Sequence, residues 1–295
     1  MDKVVVLNPH AGDHDRDLES WKELLPWDIR VSQEPGDAGR ISRELAENGV
    51  PQIIVGGGDG TIREVADSLM SLAKEKRPQL AVLPLGTAND FCKSIHIGPE
   101  LETAIKAIKE GLSVPLDVIQ VTLNDKTFYG MNVACVGFVP EMTKRVSGSD
   151  KELWGSLVYA LKSVETAQES RCYHLAAQLD GESYEWDSWN IVLGNGRFAG
   201  GGVPIAPEAE LDDGLLDVYV FNGETKLDFL VEGVLSLLGQ HSQSVGVESL
   251  KGKSLKLNSD LSLPISLDGE LLGEGDVEFQ LMTGALDVVV GQKTQ

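Results

Sequence analysis

No apolar run in this sequence approaches the roughly 18 residues of a membrane span, although 42% of its 295 positions are apolar. Cysteine is scarce. Cys92, Cys135 and Cys172 lie far apart without Cys-x-x-Cys spacing, which argues against a disulfide framework and a cysteine-zinc cluster. Basic residues are also few: 25 Lys and Arg against 46 Asp and Glu leave a net charge of −21, concentrated in the last third. Such a surface repels phosphate polyanions and argues against nucleic acid as a partner. Met1-Asp2-Lys3 runs straight into Val4-Val5-Val6-Leu7 with no basic region or cleavage site, so the expected address is the cytoplasm. There is neither a fixed-period repeat nor a low-complexity linker.

The length is more than one core usually spans and favours two domains. In the first third, short apolar runs alternate with amphipathic stretches. Lys3 to Leu7, Trp27 to Ser32, Gln52 to Val55 and Leu80 to Pro84 read as strands. Between them, Leu18, Trp21, Leu24 and Leu25 share a helical face, as do Ala38, Ile41 and Leu45, and then Ile62, Val65, Leu69 and Leu72. Asp37 is placed to cap the second helix and Gly49 to end it. Strand followed by helix, repeated, predicts a parallel α/β sheet. After a helix from Leu101 to Lys109 the texture changes to strand pairs with polar turns: Pro115 to Leu123, Lys126 to Cys135, Arg171 to Leu179, Glu182 to Leu193, Leu215 to Phe221, and short strands from Lys253 on. This predicts antiparallel β with hairpins. Further helices are expected over Val139 to Val146, Leu157 to Ala167 and Leu227 to Leu238.

Gly56-Gly57-Gly58-Asp59-Gly60-Thr61 follows an apolar strand and precedes an amphipathic helix. Glycines let the backbone approach a ligand closely, and N–H groups at a helix start hold phosphate oxygens. The structural alternative for this loop, taken alone, is a tight strand-to-helix turn. It is neither a Walker loop nor a dinucleotide fingerprint, because Thr61 stands where the third glycine would be. Asp59 is the one charge in the loop, and an acid among phosphate-binding amides needs a metal ion or a proton. The next strand ends in Pro84-Leu85-Gly86-Thr87-Ala88-Asn89-Asp90-Phe91, and neighbouring parallel strands present such loops to one crevice. Asn89 and Asp90 would otherwise be read as helix caps.

The ordered set Asn8-Pro9-His10-Ala11-Gly12, Ser32 with Gly36-Asp37-Ala38, Gly57 to Thr61, Gly86 to Phe91, Gly194-Asn195-Gly196-Arg197, Asp212-Asp213-Gly214-Leu215-Leu216 and Asp268-Gly269-Glu270 resembles the diacylglycerol kinase catalytic superfamily, in its bacterial YegS-type branch. The resemblance runs over nearly the whole chain. It implies a three-layer α/β nucleotide-binding domain over residues 1–118, to which a tail of about 284–295 returns, and an antiparallel β-sandwich-like domain over 119–283 that helps bind lipid.

The implied activity is transfer of the ATP γ-phosphate to a lipid hydroxyl such as that of diacylglycerol or phosphatidylglycerol, with Mg2+ and a brief peripheral membrane contact. Nucleotide contacts carry over to Asn8, Ser32, Gly57, Gly58, Asp59, Gly60, Thr61, Ile62, Arg63, Glu64, Thr87, Asn89 and Asp90. Ser32 replaces a threonine, and Arg63 stands where relatives often carry a neutral residue. Glu270 matches the proton acceptor, with Asp59 as rival for that role. A structural magnesium falls to the carbonyls of Glu210 and Leu215 and the side chain of Asp213, with Asp212 as a competing ligand. The alternatives are a kinase of a soluble substrate resembling NAD kinase, and a regulator that binds nucleotide or lipid without turnover. His10 and His14 make a poor metal pair, because Pro9 and Gly12 oppose a helix there. Lys144, Arg145 and Lys151, or the apolar face near Phe229, are the candidates for touching a bilayer.

Overall fold

The computed structural model describes residues 2–12, 17–145, 171–222 and 246–292. The helices expected over Leu157 to Ala167 and Leu227 to Leu238, together with His14, Lys151 and Phe229, lie outside these residues. Two compact units result: Met1–Val118 with Thr283–Gln295, and Ile119–Met282.

The first unit is built on parallel strands β1 (Lys3–Leu7), β2 (Asp28–Val31), β3 (Gln52–Gly57) and β4 (Gln79–Pro84), in the order β2-β1-β3-β4. Val4 to Leu7, Ile53 to Val55 and Leu80 to Leu83 have no solvent exposure. Such near-continuous apolar runs mark a parallel sheet covered on both faces. Helices α1 (Leu18–Leu24), α2 (Asp37–Glu47), α3 (Asp59–Met70), α4 (Asp90–Ser94) and α5 (Leu101–Glu110) follow the strands in alternation. Ile62, Val65 and Leu69 are buried as their spacing predicts. Leu18, expected on the buried face of α1, is 41% exposed, and Trp21 and Leu25 fill that face instead.

Asp37 does not cap α2. Gly36, at φ 93°, takes that place, and the Asp37 carboxylate turns back to accept the Gln33 N–H at 3.0 Å and to meet Arg40 at 2.9 Å. The N–H of Gly39, in the first turn of α2, is satisfied by another helix: Glu64 Oε1 accepts it at 2.8 Å, and Ser68 Oγ donates to the Gly39 carbonyl at 2.8 Å. At the chain end, Val288 pairs in parallel with Leu80, and Gly291 donates to the Ile95 carbonyl at 2.9 Å.

The second unit is antiparallel throughout. Strands β7 (Val133–Gly137), β10 (Asn190–Gly194), β11 (Leu216–Phe221), β12 (Val247–Gly252), β14 (Pro264–Leu267) and β15 (Glu270–Glu274) form one sheet in the order β12-β11-β10-β7-β14-β15. Strand β13 (Ser254–Ser259) pairs with β8 (Tyr173–Leu179), and β8 with β9 (Glu182–Ser188), in another sheet. One apolar core takes Ala134, Val136, Ile191 and Val218 from the first sheet and Leu175, Trp186, Leu255 and Phe279 from the second. This is a sandwich of two sheets.

Two expected strands are broken. Lys126 to Cys135 divides into β6 (Lys126–Gly130) and β7, and Glu182 to Leu193 divides at Trp189 into β9 and β10. Each pair of pieces belongs to different sheets. An apolar pattern shows that a segment is buried but not where it leaves one sheet for the other. The hairpin turn Asn124-Asp125 has both φ values positive, at 50° and 62°, as a two-residue turn requires.

A Cβ added at Gly39 would sit 2.9 Å from the Glu64 carbonyl oxygen and 3.2 Å from Ser68 Cβ. Gly39→Ala is therefore expected to destabilise the protein by about 1–3 kcal/mol through overpacking, despite a helix-propensity gain of about 1 kcal/mol. Urea unfolding measures the difference, and an unchanged or raised midpoint would show that α2 and α3 separate freely.

Candidate active site

In the order β2-β1-β3-β4 the connections leave β1 and β3 in opposite directions, so the sheet has its switch point between these strands. The loops that start at Asn8 and Gly58 lie at their carboxyl ends. Asn8 joins them: its Nδ2 donates to Thr61 Oγ1 at 3.1 Å, its Oδ1 accepts the His10 N–H at 3.0 Å, and its own N–H donates to the Gly56 carbonyl at 2.8 Å. Ser32 closes β2 against β1, with its buried hydroxyl on the Leu7 carbonyl at 3.3 Å.

The two glycine loops touch at backbone level. A Cβ at Gly86 would lie 2.4 Å from Gly58 Cα, and one at Gly58 would lie 3.1 Å from Gly86 Cα. Any side chain at Gly86 would drive the loops apart. Asn89, at φ 51°, folds its amide back on Gly86, accepting its N–H at 2.9 Å and donating to its carbonyl at 2.7 Å.

Asp59 braces the pair. Its Oδ1 accepts the Phe91 N–H at 3.0 Å and its Oδ2 accepts the Asp90 N–H at 3.2 Å, so the first residue of α3 holds the start of α4. The metal or proton that the sequence demanded for this acid thus has a third alternative, the amides of the neighbouring loop. Burial raises the proton affinity of Asp59, the Asp90 carboxylate adds to that, and the two N–H groups act against it; the net shift is upward. Asp90 is buried beside Lys93 Nζ at 3.3 Å.

The N–H groups of Asp59, Gly60 and Thr61 precede the first intrahelical bond of α3, the Ile62 N–H to the Gly58 carbonyl at 3.0 Å. They are the donors that this helix start offers an anion. Ile62 itself is 1% exposed and its N–H is already used, so it contributes packing. Glu64 is engaged with α2. Thr87 is exposed at the tip of the second loop, and Arg63 is half-buried on the first turn of α3. All thirteen expected nucleotide residues belong to the first unit; Glu270, Glu210, Asp213 and Leu215 belong to the second.

Glu270 opens β15 after the turn Asp268-Gly269, with φ values of 47° and 80°, and is exposed. In the Asp212-to-Leu215 turn, Gly214 has φ 75° and Asp213 Oδ1 accepts the Leu215 N–H at 2.9 Å. Arg197 holds the entry to this turn, with Nε on the Ala209 carbonyl at 2.9 Å and Nη2 3.6 Å from Glu210 Oε1. The expected donors there are a carboxylate oxygen and two carbonyls, which suit a hard cation. Among the described residues no three side chains of His, Cys, Asp or Glu gather as a metal cluster.

Sequence reasoning missed three things here: that Asp59 spans both loops, that Glu64 serves another helix, and that the Asp268 carboxylate accepts the N–H groups of Met131, Asn132 and Val133. The third left a signal, because Leu-Asp-Gly-Glu is written twice in the chain.

Residues 2–121 match the family model of the diacylglycerol kinase catalytic domain, and residues 134–290 match that of the YegS C-terminal NAD kinase beta sandwich-like domain. A "Probable lipid kinase YegS-like" of Cronobacter sakazakii is 36% identical over 291 residues, covering 96% of this chain and 93% of that protein. A "Probable lipid kinase YegS" of Escherichia fergusonii is 32% identical over 292 residues, covering 96% and 94%. Among solved structures, a diacylglycerol kinase from Bacillus anthracis superposes with a TM-score of 0.77 at 25% identity, covering 98% of this chain and 97% of that one.

Asp59→Ala leaves the Asp90 and Phe91 N–H groups without their acceptors and is expected to cost about 1–3 kcal/mol in the absence of any nucleotide. The folded chain holds the Asp59 proton more tightly than the unfolded chain does. Lowering the pH through that raised value therefore favours folding at this site, and the wild-type advantage should widen toward the ordinary carboxylate range. Urea titrations of both proteins at several pH values measure it; equal stability would deny the brace.

Proposed function

This chain belongs to the diacylglycerol kinase catalytic domain family, on the side of the YegS-like lipid kinases, and we propose from that membership how its residues divide the work. It is an ATP-dependent lipid kinase. The observation that carries the proposed mechanism is the pair of glycine loops in contact at the carboxyl ends of β3 and β4, beside the sheet's switch point, held by a carboxylate and followed by a helix start. Relatives matched along both units are named lipid kinases, so the soluble-substrate and non-catalytic readings give way.

The phosphates of ATP rest on the N–H groups of Gly58 to Thr61, where close backbone approach and the positive end of α3 stabilise the charge that builds up on the oxygens. Asn8 and Asn89 hold the loops in shape, and Ser32, Arg63, Thr87 and Asp90 complete the nucleotide contacts. Asp59 keeps the loops together and turns its remaining lone pairs toward the metal end of the nucleotide. Glu270 takes the proton of the lipid hydroxyl while the hydroxyl oxygen bonds to the γ-phosphorus and the bond to the ADP oxygen breaks.

A magnesium ion bound with ATP would neutralise phosphate charge. A second, structural one fits the Asp213 turn, where all three donors are hard oxygens and Asp213 Oδ1 already fixes the loop through Leu215. Membrane contact is brief: each basic residue near an anionic leaflet contributes about 1 kcal/mol, and a chain at −21 has few to offer. Diacylglycerol, phosphatidylglycerol and sphingoid bases all present a suitable hydroxyl, and a lipid panel with labelled ATP selects among them.

Glu270→Gln is expected to bind a non-hydrolysable ATP analogue with unchanged affinity by calorimetry while kcat falls about 10²–10⁴-fold. Turnover near the wild-type rate would remove it as the base. Asp213→Ala should lose the rise in melting temperature that Mg2+ gives the wild type over EDTA; an undiminished rise would dismiss the structural ion.

A further inference from the structure

Leu-Asp-Gly-Glu occurs as Leu179-Asp180-Gly181-Glu182 and again as Leu267-Asp268-Gly269-Glu270. The fold uses the two copies alike. Each Asp-Gly pair makes a two-residue turn at positive φ, 48° and 90° in the first copy and 47° and 80° in the second. Leu179 and Leu267 enter the same sandwich core.

Each turn also fastens the point where another part of the chain crosses from one sheet to the other. Asp268 donates its N–H to the Val133 carbonyl at 2.9 Å. Its carboxylate accepts the N–H groups of Met131, Asn132 and Val133 at 2.7, 2.9 and 2.9 Å, where β6 gives way to β7. Asp180 donates its N–H to the Ser254 carbonyl at 3.0 Å. Its carboxylate accepts those of Lys253 at 3.0 Å and Ser254 at 2.8 Å, where β12 gives way to β13.

A glycine precedes each crossing. A Cβ on Gly130 would meet Leu267 Cγ at 2.5 Å and Asp268 Oδ2 at 2.8 Å; one on Gly252 would meet Leu179 Cδ1 at 2.6 Å and Asp180 Oδ2 at 3.0 Å. Five residue positions, Gly and then Leu-Asp-Gly-Glu, thus recur in one arrangement.

The duplication separates structure from chemistry. Core, turn and crossing account for Leu, Asp and Gly in both copies, so none of the three needs a catalytic explanation. We infer that Asp268 is a positioning residue for phosphoryl transfer, acting through the backbone it fixes directly before Glu270, and that Asp180 is its twin with a purely structural task. The inference rests on Glu270 as the proton acceptor. The Asp268 carboxylate is turned to main-chain N–H groups, so its contribution is the place from which Glu270 reaches the hydroxyl. A misplaced base loses rate steeply while nucleotide binding stays intact.

The test compares matched variants of the full chain: Asp268→Asn with Asp180→Asn, and Glu270→Gln with Glu182→Gln. Melting temperature, kcat, KM for ATP and the pH profile of kcat are measured well below every melting point. Both Asp→Asn variants are expected to melt earlier. Asp180→Asn and Glu182→Gln should keep kcat within about twofold, whereas Asp268→Asn should lose at least about tenfold in kcat with KM for ATP unchanged. The acidic limb of its pH profile should persist, since the base is still present, while Glu270→Gln should abolish that limb.

Gly269→Ala and Gly181→Ala strain the same turns without any contact within 4 Å of the new Cβ. They lose no side-chain hydrogen bond, so they keep the comparison open if an Asp variant fails to fold, and should repeat the contrast in milder form. Equal kcat losses in the two turns, or none in either, would overturn the positioning role. Loss of the acidic limb in Asp268→Asn with its retention in Glu270→Gln would make Asp268 the base and overturn it as well. A wild-type rate and profile for Glu270→Gln would overturn the base assignment itself, whatever the two turns show.

Discussion

A backbone N–H left over where a helix starts or a strand bends needs an acceptor, and in this chain a carboxylate repeatedly supplies it. Asp59 takes the N–H groups of Asp90 and Phe91, Glu64 that of Gly39, and Asp117 that of Gly284 at 2.7 Å. Asp180 and Asp268 serve the two sheet crossings. A hydrogen bond to a charged group contributes about 1.5–3 kcal/mol against roughly 1 for a neutral one, and an orphaned donor costs about as much. Part of the acidic excess therefore serves the architecture of the backbone. The bends of this fold stay closed while those acids stay in place.

The same constraint shapes the site. Phosphate binding asks for free amides and bare backbone, which in turn makes a loop weak. Gly58 and Gly86 meet so closely that no side chain could stand between them, and a loop made of glycine has no side chains with which to hold itself. Asp59 resolves this by anchoring from below. Its charge is kept half-buried at an energetic cost, visible as a raised proton affinity, and is offset by the two N–H groups it accepts. Asn89 does for the second loop what Asp59 does for both, closing its amide on Gly86 in a left-handed conformation that asparagine tolerates better than most residues.

Much of this was legible in the residues. Alternating apolar strands and amphipathic helices stated a parallel sheet, since the middle of a strand buried on both faces must be apolar, and Val4 to Leu7, Ile53 to Val55 and Leu80 to Leu83 are. The glycine loops could be read because only glycine lets two backbones approach as closely as Gly58 and Gly86 do. The ordered motif set by itself carries the resemblance to the family. Where reading failed, the cause was distance along the chain. Asp37 looked like a cap because caps are local, yet the Gly39 N–H in the first turn of α2 goes to Glu64, 25 positions away, while the Asp37 carboxylate takes Gln33 and Arg40.

What the sequence by itself determined, then, is whatever depends on neighbours a few positions apart: strand and helix periods, glycine at turns, and the loops that can approach a phosphate. Tertiary structure alone decided where Lys126 to Cys135 and Glu182 to Leu193 break, and which amides each acid accepts. The partners of Asp59 lie 31 and 32 positions away and those of Asp268 lie 135 to 137 away. Local propensity carries no information over such spans. Only the packing of one strand across another brings an inward N–H to the carboxylate that satisfies it.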